Sequence, residues 1–311
     1  MDATGSRPKR LTPAALARWP LPKPGDDADK EDRGHVLIVA GSQEMPGAAL
    51  LAAVAALRAG AGKLTMAAPA CIAQGLAFAV PEARVVSLPQ ARSGGLLVRG
   101  GDALAATAEH VRALVVGPGM QDERATVGFV RALMPLFSHA TVVLDALALS
   151  IVRHGALDQP TVLTPHAGEM AYLSGQSKEA VCADPVGAAR EAATRWNGCV
   201  ALKGGSTVIA SPDGAMWKFD DGAAGLATSG SGDTLAGLIG GLAARGLQPL
   251  PACAWGVVAH ASAGAALARL HGPVGYLARE LARELPGSLH ALSQRRRRGS
   301  SPSPTRALVA G

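Results

Sequence analysis

The chain has 311 residues, enough for one large α/β domain or two smaller ones. With 48% hydrophobic and only 17% charged residues it must bury a sizeable core, which excludes a disordered chain. The net charge of +6 hints at a nucleic-acid partner until it is located: Arg295, Arg296, Arg297, Arg298 and Arg306 lie between Ser293 and Gly311, a stretch without an acid, and removing them leaves +1.

Residues 1–33 read as a Pro-rich, charge-mixed arm, and the start, "MDATGSRPKR", has no apolar signal core. "HVLIVAG" (35–41) is a short buried strand, and "PGAALLAAVAALRAG" (46–60) is a helix closed by Gly60. "KLTMAAP", "RVVSLP", "ALVVGPG", "TVVLDA", "TVLTPH" and "CVALKG" are further strands, separated by helical stretches. Continuous apolar strands alternating with helices predict a mainly parallel sheet covered on both faces. "STVIASPDGAMWKFD" (206–220) breaks the pattern, because Pro-Asp-Gly between two strands predicts a β-hairpin. Residues 252–270 are long and apolar but carry His260 and Arg269, and are read as a buried helix rather than a bilayer span.

No break in composition separates residue 34 from 293, so one domain is expected there, followed by a disordered Arg/Ser/Pro-rich tail over 294–311. The four cysteines, Cys71, Cys182, Cys199 and Cys253, are dispersed and show no zinc-ligand spacing, which suggests a reducing compartment.

Ligands of such sheets bind beyond the carboxyl ends of the strands. The glycine and polar residues gather there: Gly41-Ser42, Gly117-Pro118-Gly119, Asp145, Thr164-Pro165-His166 and Lys203-Gly204-Gly205. Gly230-Ser231-Gly232-Asp233 then precedes a helix with Leu235, Leu238, Ile239 and Leu242 on one face. Glycines at a helix start let backbone N–H groups converge on an anion. The stretch is neither a Walker A loop nor a dinucleotide fingerprint. A plain helix cap is the alternative role for Asp233, and a capping or surface position the alternative for His166.

The GxGD stretch resembles the anion hole of the ribokinase-like superfamily. Together with "KEDRGHVLIVAGS", "GAALLAAVAALRAGAGKLTMAAP", "VVGPGM", "VVLDALAL", "LTPHAGEMAYL", "ALKGGSTVIASPDG" and "LPGSLHAL", it makes residues 11–292 similar to the ADP-dependent NAD(P)H-hydrate dehydratase family. The resemblance implies a three-layer ribokinase-like α/β fold. It implies an enzyme that phosphorylates the C6 hydroxyl of the S-epimer of hydrated NADH or NADPH (NADHX, NADPHX) and eliminates phosphate, with Mg²⁺ and with ADP or ATP as donor.

Carried over residue by residue, Asp233 is the base and a substrate contact, joined at the substrate by Ala48 (with its neighbour Ala49 as the alternative), Gly119 and His166. Lys203, Gly204, Gly205, Ser206 and Thr207, with Gly230, Ser231 and Gly232, are the nucleotide contacts; no metal ligand is assigned. Also implied are a cytoplasmic homo-oligomer (a tetramer), a separate epimerase as functional companion, and no specific nucleic-acid or membrane partner.

Two departures stand out. The family commonly has Asp-Ala-Asp-Ala-Leu where this chain has Asp145-Ala146-Leu147-Ala148-Leu149, and Asn-Pro-Gly-Met-Ala-Thr-Gly-Gly where it has residues 223–230, "AAGLATSG". A small-molecule kinase of the same fold and a noncatalytic nucleotide sensor are the competing functions.

Overall fold

A computed structural model of the chain describes residues 7–23, 25, 27 and 29–298. The aliphatic runs form one ten-stranded sheet: β1 (Lys9–Arg10), β2 (His35–Val39), β3 (Lys63–Pro69), β4 (Arg84–Leu88), β5 (Val111–Val116), β6 (Thr141–Leu144), β7 (Thr161–Leu163), β8 (Cys199–Leu202), β9 (Thr207–Ala210) and β10 (Met216–Phe219). The order across the sheet is β1-β10-β9-β8-β7-β6-β5-β2-β3-β4. Neighbours run parallel except at β9, which is antiparallel to both β8 and β10. The Pro-Asp-Gly hairpin is therefore present, pairing Thr207 with Phe219.

Ten α-helices are described: α1 (Pro46–Arg58), α2 (Ala70–Ala79), α3 (Asp102–Ala108), α4 (Glu123–Leu133), α5 (Ala167–Ser174), α6 (Lys178–Ala183), α7 (Pro185–Trp196), α8 (Ser231–Ala244), α9 (Pro249–His271) and α10 (Ala278–Arg298). Side chains alternate across a strand, so the sheet serves two cores. Val36 and Ile38 of β2 face the core shared with α1, α8, α9 and α10, whereas Leu37 and Val39 face the one shared with α4 and α7. This gives three layers with the sheet in the middle.

The α1–α8 contact places the site. A Cβ at Gly237 would collide with the Ala52 carbonyl, so α8 lies closer to the alanine face of α1 than any side chain would permit. Residues 35–39 are all buried, and α8 begins beside the residue that follows β8, where a Cβ on Gly232 would lie 3.4 Å from the Lys203 ammonium.

Two segments differ from the sequence expectation. The arm is built into the fold: β1 joins the sheet beside β10, Leu11 and Leu16 are buried, and the Trp255 indole donates to the Trp19 carbonyl at 2.6 Å. At the other end, α10 continues to Arg298, inside the segment read as disordered, in keeping with the good helix propensity of Gln and Arg. Residues 299–311 lie outside the described ones. Helix α9 is long and apolar enough to cross a membrane, but 72% of its most apolar window is buried within the fold, as its small residues and His260 had suggested.

Candidate active site

Helix α8 starts the site. Its N-cap is Gly230, at φ 86°, with no side-chain cap. Asp233 in the first turn is thus not a cap, and its carboxylate is left for other work. The Ser231 N–H is already spent on the Thr228 carbonyl at 3.2 Å. Among the described residues the N–H groups of Gly232 and Asp233 have no acceptor, so these, rather than that of Ser231, form the open anion cradle at the positive end of the helix. Ser231 supports the turn from below. It is buried, and His260 of α9 directs Nε2–H to its carbonyl at 3.1 Å, with its hydroxyl at 3.2 Å. Burial holds His260 neutral, lowering its pKa to about 4. This buried contact was not legible in the sequence, where His260 is one polar residue in an apolar helix; only its spacing within a small-residue run marked it.

Beside the cradle lies a charge network drawn from three strand ends. Lys203, after β8, directs its ammonium to Asp145 Oδ1 at 3.1 Å, and the buried Asp145, after β6, also accepts from Thr164 Oγ1 at 2.7 Å. A Cβ built on Gly232 would lie 3.4 Å from the same ammonium. Burial alone would lower the Lys203 pKa, but the carboxylates of Asp145, Glu169 and Asp233 outweigh it and hold the pKa above the usual lysine value. Asp233 moves the other way. Burial, then the negative charges of Asp145 and Glu169, raise its pKa to about 6 against the opposing pull of Lys203.

Two cavities meet at this turn. One, of about 520 Å³, is lined by Lys203, Gly204, Gly205, Thr207, Ser231 and Gly232, with His166 and His260. The other, of about 450 Å³, is lined by Ala48, Gly119, Leu147, Glu169, Tyr172 and Asp233. Gly119 shapes the second cavity. It sits at φ 66°, and a Cβ there would come within 2.6 Å of Ala48 Cβ. Ser206 and Gly230 line neither cavity, Gly230 acting through the turn it caps. His166 lines the first cavity, apart from Ala48 and Gly119. It also caps α5: Nδ1 accepts from the Gly168 and Glu169 amides at 3.0 and 3.1 Å, and Glu169 Oε2 accepts from the His166 N–H at 2.8 Å. Its Nε2 remains exposed, 3.6 Å from Glu169 Oε2. Leu147, at the altered position of the Asp145 segment, adds an apolar wall to the second cavity.

The mostly parallel sheet between two helical layers, with free amides, a lysine and a raised-pKa carboxyl between two cavities at its strand ends, defines a ribokinase-like fold. A family model described as NAD(P)H-hydrate dehydratase matches residues 36–287, and the chain belongs to that family. It is 50% identical over 289 residues to the ADP-dependent (S)-NAD(P)H-hydrate dehydratase of Xanthomonas campestris pv. campestris, covering 93% of this chain and 99% of that one. It is 39% identical to a bifunctional NAD(P)H-hydrate repair enzyme of Moorella thermoacetica; there it covers 92% of this chain and spans about half (55%) of the relative. Among solved structures, the Bacillus subtilis ADP/ATP-dependent NAD(P)H-hydrate dehydratase co-crystallized with ATP and Mg²⁺ superposes with a TM-score of 0.79 at 30% identity, covering 92% of this chain and 99% of that one.

Proposed function

We propose that this chain is an ADP-dependent (S)-NAD(P)H-hydrate dehydratase, which returns hydrated NADH and NADPH to the reduced cofactors. The observation that carries the reading is the position of Asp233: it lines one cavity, while Ser231 and Gly232, just before it in the same turn, line the other. A base and a phosphoryl cradle are thereby held within one helical turn of each other.

The nucleotide occupies the cavity of Lys203, Gly204, Gly205 and Thr207, and the hydrated dinucleotide that of Ala48, Gly119 and Asp233. His166 reaches the hydrate from the wall between them, through its exposed Nε2 beside Glu169. Asp233 accepts the proton of the C6 hydroxyl as that oxygen bonds to the terminal phosphorus of the donor and the bridging P–O bond breaks; with ADP this releases AMP. The amides of Gly232 and Asp233 and the Lys203 ammonium stabilise negative charge on the transferring group. The C6–O bond then breaks with loss of a proton from C5, restoring the ring double bond and releasing phosphate. Phosphorylation matters because phosphate leaves far more readily than hydroxide.

Mg²⁺ takes oxygen ligands and keeps several waters, needing few protein groups. Among the described residues no cluster of three or more His, Cys, Asp or Glu could cage a metal. The donor set instead fits an ion carried on nucleotide phosphates, with Asp145 and Glu169 as the nearby carboxylates that would hold its waters. Bound there, it would neutralise charge on the phosphates. A homo-oligomer (a tetramer), a cytoplasmic location and a separate epimerase that supplies the S-epimer belong to the same reading.

The test is to incubate the purified chain with hydrated NADH, Mg²⁺ and either ADP or ATP while following the absorbance of the regenerated dihydronicotinamide. Phosphate release together with that absorbance is the expected result. A stable phosphorylated product would point to a kinase, and nucleotide binding without turnover to a sensor.

A further inference from the structure

Tyr172, in the last turn of α5, is an exposed aromatic residue (52%) that is nevertheless held at its hydroxyl and over its ring. Its hydroxyl donates to the Glu123 carboxylate at 2.8 Å and accepts from Arg153 Nη1 at 2.6 Å. The Arg153 guanidinium also lies over the ring, 4.6 Å from its centroid, and 3.7 Å from Glu123. An exposed tyrosine has every entropic reason to be mobile. Here an ion pair, a charge-assisted hydrogen bond and a cation–π contact hold one rotamer.

Tyr172 lines the Asp233 cavity, whereas Arg153 and Glu123 do not. The clamp therefore holds Tyr172 from residues outside the cavity that Tyr172 itself lines. Glu169, one helical turn earlier on α5, lines the same cavity, so both side chains point the same way.

We propose that Tyr172 is a stacking platform at the mouth of this cavity for the adenine ring of the dinucleotide substrate. The proposal rests on the assignment of the Asp233 cavity to hydrated NAD(P)H. That substrate has two ring systems. The hydrated nicotinamide must lie at the half-buried Asp233 and has lost its full ring unsaturation, so it offers little to an aromatic face. Adenine is planar, lies at the far end of the molecule, and is the part that reaches the exposed rim. A guanidinium behind the tyrosine draws electron density from its ring, which suits it to an electron-rich purine.

The experiment compares wild type, Tyr172→Ala and Tyr172→Phe on hydrated NADH and on the hydrated mononucleotide, which lacks adenosine. Tyr172→Ala should raise KM for hydrated NADH about tenfold, the order expected for one base–aromatic stack. It should leave kcat, KM for ADP and KM for the mononucleotide unchanged, while Tyr172→Phe, which keeps the ring but loses both hydroxyl bonds, should raise KM for hydrated NADH less than Tyr172→Ala does. An equal rise in KM for both substrates, or none for either, overturns the platform. Calorimetric titration with unhydrated NADH supplies a readout independent of turnover, in which Tyr172→Ala should weaken binding by the same factor. If wild type fails to turn over the hydrate but binds NADH in a Tyr172-dependent way, the proposed activity fails and the platform stands; if it binds no NADH, the platform falls.

Discussion

Lys203 holds its ammonium 3.1 Å from Asp145 Oδ1 and within contact of the position a side chain on Gly232 would occupy. One cation therefore neutralises a buried acid and lies beside the open amides at the start of α8 at the same time. Breaking such a pair from one side is costly, because the remaining charge stays buried. Lys203→Met should lose about 3 kcal/mol of stability along with nucleotide affinity. Adding Asp145→Leu should restore most of the stability but none of the affinity. Denaturant titration and nucleotide binding check the two halves separately, and full recovery of binding in the double variant would remove Lys203 from the nucleotide site.

Asp233→Asn should retain nucleotide binding and lose turnover by orders of magnitude. It should also make the protein more stable at neutral pH. A carboxyl whose folded pKa, about 6, exceeds its unfolded value binds its proton more tightly in the native state. Its favourable contribution is present in acid and is lost as the pH rises through about 6, so at pH 7.5 the charged form is a net cost. Allowing for partial exposure, removing that charge is worth about 1 kcal/mol, or roughly 2 °C in Tm. Undiminished turnover, or a lower Tm with intact binding, would contradict the assignment.

The pH profile follows from the same group. The base must be ionised, so kcat/KM should fall about tenfold per pH unit below about 6. In Lys203→Met the one opposing charge is gone, and whatever activity survives should show its midpoint displaced upwards. A wild-type profile flat down to pH 5 would mean that another group takes the proton.

Gly119→Ala tests the wall of the second cavity. At φ 66° an added Cβ is strained and meets Ala48 Cβ at 2.6 Å and the Met45 carbonyl at 2.7 Å. A loss of about 2 kcal/mol is expected from an unsuitable backbone position, with a raised KM for hydrated dinucleotide and an unchanged KM for ADP. Gly232→Ala makes the opposite contrast. Its Cβ would be in ordinary contact at 3.4 Å, so the fold should hold while nucleotide turnover declines. Thermal melting and steady-state kinetics on both variants separate the two effects.

Local sequence determined much of this protein. Parallel strands buried on both faces must be unbroken aliphatic runs, which is why β2, β5, β6 and β8 are visible as such, and Pro-Asp-Gly dictates the hairpin of β9 and β10. The glycines of residues 230–233 announce a helix start with open amides, since those residue types serve backbone geometry within a single turn. What needed the tertiary structure is everything set by packing between distant segments. Two residues of the polar arm become a strand only because β10 offers an edge, and His260 steadies Ser231 only because α9 crosses beneath α8. Which amides stay open, which cavity His166 lines, and that Asp233 titrates near 6 depend on neighbours as far apart as Asp145 and Lys203. Burial and charge act through space, and the order of residues along a chain does not contain those distances.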